Sequence, residues 1–200
     1  MNTHTSPGFV ENVRMSGEFK KSAIFALSGL ILCGGLYTTV ATLAGLGVFP
    51  EQARGSLIYQ DNELRGSTLI AQPFTGDTYF HSRPSSVAHL PTDTGGSNLA
   101  PSNPELRAIA RQLSQSVSAR EGVALADIPV DMISMSGSGV DPHISEQAAA
   151  LQIPRIARAR GLAQENIAAL VAQHTATPSF GVLGQSRVNV LTLNLALDNQ

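Results

Sequence analysis

Residues 23–49 read AIFALSGLILCGGLYTTVATLAGLGVF, a run without one charged side chain. A helix crossing a bilayer needs about 20 apolar residues, so this run is long enough to span with some tilt. The competing reading is a secretory signal, with Thr42–Ala44 as the cleavage site. Signal h-regions are usually about 7–15 residues, and the run exceeds that before it reaches Thr42. A retained transmembrane helix over residues 23–49 is therefore expected, with an extension over residues 1–22 and a domain over residues 50–200.

The flanks set the orientation. Arg14, Lys20 and Lys21 precede the run, whereas Arg54 and Arg65 follow at greater distance. Basic residues stay on the cytoplasmic side and acids such as Glu11 and Glu18 count for little, so the N-terminus is expected inside and the large domain outside. Lys20 and Lys21 are the predicted anchor at the lipid boundary. Within the span, Gly34 and Gly35, together with Gly29, Ala41 and Gly45, are small enough to let another helix approach closely. They also fit the general frequency of glycine in membrane helices.

Composition narrows the function classes. The net charge is −2, and both lysines, Lys20 and Lys21, precede the span. No basic stripe exists to follow a phosphate backbone, so nucleic acid is not an expected partner. Cys33 is the only cysteine and falls inside the span. The external domain therefore has no disulfide and must rely on an ordinary packed core.

That domain is expected to be α+β, a mixed helical fold around a small sheet. "GSLIYQ" (55–60) and "ELRGSTLIAQ" (63–72), joined by Asp61-Asn62, predict a β-hairpin. Residues 73–104 are rich in Gly, Pro, Ser and Thr and predict a long functional loop. Asn103-Pro104-Glu105 supplies a cap, a first-turn proline and a first-turn acid for a helix ending at Gly122. "VDMISMSGSG" (130–139) reads as a strand or extended segment. A second helix starts after Ser145, with Pro154 breaking or kinking it and Gly161 ending it. "LAQENIAALVAQHT" (162–175) predicts a third helix, and "RVNVLTLNLAL" (187–197) a buried strand.

Catalytic motifs are sparse. No GxxxxGK[ST] loop is present, and the chain has no lysine after Lys21. Gly95 and Gly96, followed by Ser97 and Asn98, could expose backbone N–H groups to an anion. They follow no clear strand and open no immediate helix, so a turn or a docking loop is the better reading. Asp141, His143 and Ser145, with His81 and Ser82, are residue types that acyl transfer uses, but triads are recognised by geometry. The spaced glycines of a nucleophile elbow are missing from "SMSGSGVD". Asp141-Pro142 reads as a turn and Ser145 as a helix cap. A membrane-anchored periplasmic hydrolase using these Ser, His and Asp residues is the alternative function. The scattered histidines show no zinc-ligand spacing.

Five ordered stretches carry a resemblance: "GSLIY", "RGSTLIAQPFTGDTYFHSRPS", "GGSNLAPSNPEL", "SGSGVDPHISEQAAALQIPRIARARGL" and "VNVLTLNLALD". Together they resemble the C subunits of bacterial Kdp high-affinity potassium-transporting P-type ATPases; about the first twenty residues fall outside the likeness. The resemblance implies an accessory subunit in the inner membrane. Its partners would be a channel-like potassium-binding subunit, a P-type ATPase subunit and a very small membrane peptide. The phosphorylated DKTGT motif is absent here, so hydrolysis would belong to a partner. No firmly bound cofactor is implied, and ATP would be met only through the complex, where the family is described as raising the ATP affinity of the pump subunit. An external domain does not meet cytoplasmic nucleotide, so stabilising or gating the potassium-binding subunit ranks first. In that setting Gly95, Gly96, Ser97 and Asn98 are expected at a partner surface ahead of a nucleotide.

Overall fold

The structure, a computed structural model, describes residues 15–200; Glu11 and Arg14 of the N-terminal extension lie outside them. Helix α1 (Met15–Gly29), a π-helical stretch (Leu30–Tyr37) and α2 (Thr38–Val48) follow without a break, and a short α3 (Pro50–Ala53) comes after them. The helical run Gly17–Val48 is 32 residues, long and apolar enough to cross a membrane. At 1.5 Å per residue it measures about 48 Å. Gly34 and Gly35 fall within the π-helical stretch. At its end the Thr38 hydroxyl donates back to the carbonyls of Gly34 and Gly35, a bond that often bends helices.

Two compact units divide at Arg54/Gly55. The second begins with the expected hairpin, β1 (Leu57–Gln60) and β2 (Glu63–Ser67), antiparallel. Asp61 and Asn62 both have positive φ, 54° and 62°, the signature of a type I′ turn, which Asn and Asp tolerate. Pairing passes from Ile58↔Gly66 to Tyr59↔Leu64, so Arg65 is bulged out.

Helix α4 (Pro104–Glu121) starts on Asn103, whose side chain accepts from the Glu105 amide, and stops at Gly122 in the left-handed region. Helix α5 (Glu146–Arg160) is capped by Ser145 and ends at Gly161. Of the break or kink expected at Pro154, the break does not occur: α5 continues through it. An interior proline costs about 3 kcal/mol. Burial of Ala148, Ala149 and Gln152 before it and of Arg155, Ile156 and Ala157 after it holds the two halves in register. Helix α6 (Gln164–Gln173) is the third expected helix.

Two strand expectations fail. Residues 130–139 form a single 3₁₀ turn (Val130–Met132) and then serine-linked turns. Here the Ser136 hydroxyl accepts from the Gly139 amide at 3.1 Å and the Ser138 hydroxyl from the Val140 amide at 3.2 Å. Such local bonds satisfy backbone that a ladder would otherwise use. In the C-terminal stretch only Arg187–Asn189 is a strand (β5), and Val190–Leu197 is helix α7. The Asn189 side chain accepts from the Thr192 amide and starts the helix. Val190, Leu193, Asn194 and Leu197 are then buried at helical spacing.

Strand β5 is the centre of a three-stranded antiparallel sheet, between β3 (His143–Ile144) and β4 (Thr175–Ala176). Helices α4, α5, α6 and α7 bury one core that includes Val117, Ile156, Ile167, Val188, Leu193 and Leu197. Each such side chain removed from water contributes about 1.5–3 kcal/mol. Phe80, from the long loop, is fully buried in the same core.

Candidate functional site

The loop of residues 73–103 has no helix or strand of its own, yet its middle is fixed by side chains instead of a ladder. Arg155 donates through Nη1 to the carbonyls of Asp77 (2.6 Å) and Tyr79 (3.0 Å). The Asn194 amide accepts from the Phe80 N–H and donates to its carbonyl, both at 2.9 Å. Gln152 does the same for His81, at 2.8 and 3.2 Å. Arg160 donates to the Thr78 carbonyl at 2.7 Å and lies 5.0 Å over the Tyr79 ring. Residues 77–81, a turn that runs into irregular chain, are thus held by side chains of α5 and α7. Buried backbone must find partners, and here polar side chains from two helices supply them.

The centre of this network is ionic. Arg155 Nε donates to Glu121 at 2.9 Å, and both side chains are buried; Arg120 Nε donates to the same carboxylate at 2.7 Å. Sequence reasoning named none of Glu121, Gln152, Arg155, Arg160 and Asn194. A signal was present: Ala148, Gln152 and Arg155 share one helical face with Ile156 beside it, so polar groups on that face need partners. Which partners they find depends on the fold.

Next along the chain, Arg83 donates to Asp141 at 3.0 Å, and Asp141 accepts from the His143 amide at 3.0 Å and lies 3.5 Å from the His143 ring. The hydrogen bonds from His143 and then the Arg83 guanidinium hold the Asp141 carboxyl down at about 2, against the opposing effect of burial. Asp131 accepts from both the Ser145 amide (2.8 Å) and its hydroxyl (3.1 Å). A cleft of about 780 Å³ opens here, lined by Arg83, Asp131, His143, Ser145, Gln147 and Arg187, among others. The sequence brings Asp141, His143 and Ser145 together, but not as a relay. The Ser145 hydroxyl accepts from the Ala148 amide as a helix cap. Among the described residues no serine hydroxyl bonds to a histidine ring. A nucleophile needs such a base within reach.

Gly95, Gly96, Ser97 and Asn98 pack largely on their own domain. The Gly95 amide donates to Ser138 at 2.9 Å, and its carbonyl accepts from the Ser86 hydroxyl at 2.6 Å. A Cβ at Gly96 would stand 3.2 Å from the Gly137 carbonyl. Ser97 lines a small recess against Leu106, Ile109 and Ile133. Asn98 is the exposed member, with φ at 53°. Lys20 and Lys21 are exposed on α1, with Lys21 paired to Glu18 at 2.8 Å.

Comparison with known proteins gives a consistent assignment. The family model described as K+-transporting ATPase, c chain (KdpC), matches residues 19–199. The chain is 54% identical over 173 residues to a potassium-transporting ATPase KdpC subunit of Shewanella putrefaciens, covering 86% of this chain and 87% of that one. It is 46% identical over 186 residues to the subunit of the same name from Xanthomonas oryzae pv. oryzae, covering 93% and 89%. Against that of Escherichia coli it is 46% identical over 172 residues, covering 84% and 90%. On the match over residues 19–199 and these identities, the chain belongs to the KdpC family, the c chain of potassium-transporting ATPases.

Proposed function

We propose that this chain is the single-pass accessory subunit of an ATP-driven, high-affinity potassium uptake complex in the bacterial inner membrane. Membership of the KdpC family over nearly the whole chain carries the reading. In it, Lys20 and Lys21 lie on the cytoplasmic side of the span and the Gly55–Gln200 domain lies outside. The partners are a channel-like potassium-binding subunit, a P-type ATPase subunit and a very small membrane peptide. The chain's role is to assemble with the potassium-binding subunit and stabilise or gate it, and the exposed Asn98 is a contact point for that surface. Raising the ATP affinity of the ATPase subunit is the second role, exerted through the complex and not through nucleotide held by this domain.

The test is co-expression of the tagged chain with the three other subunits, followed by purification and potassium-stimulated ATP turnover. The expected result is co-purification, with turnover that falls when this chain is omitted. Steady ATP turnover by the chain alone, abolished by Ser145→Ala or His143→Ala, would defeat the proposal.

A further inference from the structure

Beneath the long loop lies a second cavity, of about 310 Å³. Its polar lining includes Arg83, Arg120, His81, His89 and Ser82, and no aspartate or glutamate lines it. Leu113, Val117 and Met132 form an apolar part of the wall.

Two buried polar side-chain atoms of the described residues have no hydrogen-bond partner: Ser82 Oγ and Arg83 Nε. Both belong to residues lining this cavity. The rest of Arg83 is fixed, by Asp141 on Nη1 and by the Met135 carbonyl on Nη2. Arg120 uses only its Nε within the protein, on Glu121, and has no protein partner for Nη1 or Nη2 among the described residues. His81 and His89 each place Nε2 against a backbone carbonyl, of Gly76 and of Arg83. That leaves the other ring nitrogen of each without a protein partner among the described residues. A buried donor left unmatched costs about 1–3 kcal/mol and more when charged, and native proteins usually fill such positions with water or an ion.

We infer that this cavity binds a small oxyanion of the phosphate or sulfate type, with Ser82, Arg83 and Arg120 as its donors. Three features select an anion over water alone. Two guanidinium groups share the lining with no carboxylate in it: Asp141 and Glu121, which pair with them, lie outside the lining. The unmatched groups include one cationic donor, and hydrogen bonds from charged donors are roughly twice as strong as neutral ones. The volume holds one tetrahedral oxyanion together with several waters, each of which takes about 30 Å³. The inference does not depend on the transport reading: it concerns what the domain holds, whichever complex it joins.

The experiment uses the full chain in detergent, titrated with inorganic phosphate against chloride at equal ionic strength, with binding read by calorimetry and by melting temperature. Phosphate is expected to bind and raise the melting temperature, and Ser82→Ala is expected to weaken binding about tenfold. Without phosphate the same variant should melt no lower than the parent, because it removes a hydroxyl that has no partner. Arg120→Gln should also weaken binding, while Arg107→Gln, on the same helix but outside the cavity, should not. Phosphate acting no differently from chloride, or binding equally well to Ser82→Ala and Arg120→Gln, would overturn the inference.

Discussion

Among single residues, Arg155 bears the largest consequence. Its guanidinium joins α4, α5 and the long loop, through Glu121, Gln152 and the carbonyls of Asp77 and Tyr79. Arg155→Met leaves a buried carboxylate with only Arg120 beside it. Removing one partner of a buried pair costs about 3–5 kcal/mol. For a domain of this size that lowers the melting temperature on the order of 10 °C, measurable by circular dichroism. Glu121→Leu added to Arg155→Met should recover part of the loss, because no charge is then stranded.

Titration at this scale is equally specific. Burial first, then the charges of Arg120 and Arg155, push His81 below its ordinary 6.5, against the Gly76 hydrogen bond and Glu121. A lowered histidine means that the unfolded chain binds more protons, so stability is full above about 6.5 and declines as pH falls below it. Asp141 adds a second decline, which begins near its ordinary 3.8 and runs through about 2. Melting in phosphate-free buffer should show both. His81→Gln should flatten the curve between pH 7 and 5, and Asp141→Asn the acid end alone.

The glycines of the loop can be ranked in the same way. Gly139 has φ at 73°, and a Cβ there would lie 2.7 Å from the Gly95 carbonyl and run into Val87. Gly96 faces backbone at 3.2 Å, whereas nothing stands within 4 Å of a Cβ at Gly95. Alanine should therefore destabilise most at Gly139, less at Gly96 and hardly at Gly95. Thermal melts of the three variants check the order. A partner-assembly defect from Gly95→Ala, without a change in melting, would mark its surface as a contact.

Among elements, legibility followed how local the determining forces are. The hairpin and the starts of α4 and α5 could be read because Asp61-Asn62, Asn103-Pro104 and Ser145 act on their own neighbours. Helix α7 could not. Its leucines at 191, 193, 195 and 197 imitate strand alternation, while Leu191, Leu193 and Leu197 with Val190 also satisfy a helical stripe. Asn189 decides between the two by capping, and Asn194 by meeting Phe80 across 114 positions of sequence. The proline does not break α5 for a related reason: its local penalty is real, but packing on both sides exceeds it. The fixed segment 77–81 was legible only as part of a long loop, because the side chains that bond it come from helices far along the chain. Asn194→Ala, which strands both Phe80 backbone groups, should cost about 2–4 kcal/mol. Hydrogen exchange at Phe80 should accelerate more than at residues of α4.

For the whole molecule, the two units answer different requirements. Past Glu18, Lys20 and Lys21, residues 23–48 of the Gly17–Val48 run carry no charge on any side, as a lipid setting requires. The Gly55–Gln200 unit buries an ordinary core. Orientation is open to direct measurement. With Cys33→Ser and a single new thiol at the exposed Gln115, an impermeant maleimide should label intact spheroplasts. Labelling only after lysis would reverse the proposed topology. The candidate site divides the same way as the fold: the Gly95–Asn98 loop and the Asp141–Ser145 cluster were visible by residue type. The Arg155 network and the cavity below the loop exist only once α4, α5 and α7 meet.

The late position of α7 has a further effect, on how the domain comes into being. Residues 77–81 are made early, but Asn194, one of their four anchors, comes 114 residues after Phe80, and Leu197 and Asp198, which hold the anchor Arg160, come later still. Strand β5, the middle of its sheet, is nearly as late. A nascent chain therefore has its lipid-crossing segment finished long before its core can close. Contacts this distant in sequence also slow the final collapse. The core of the domain cannot close until its last helix has been made.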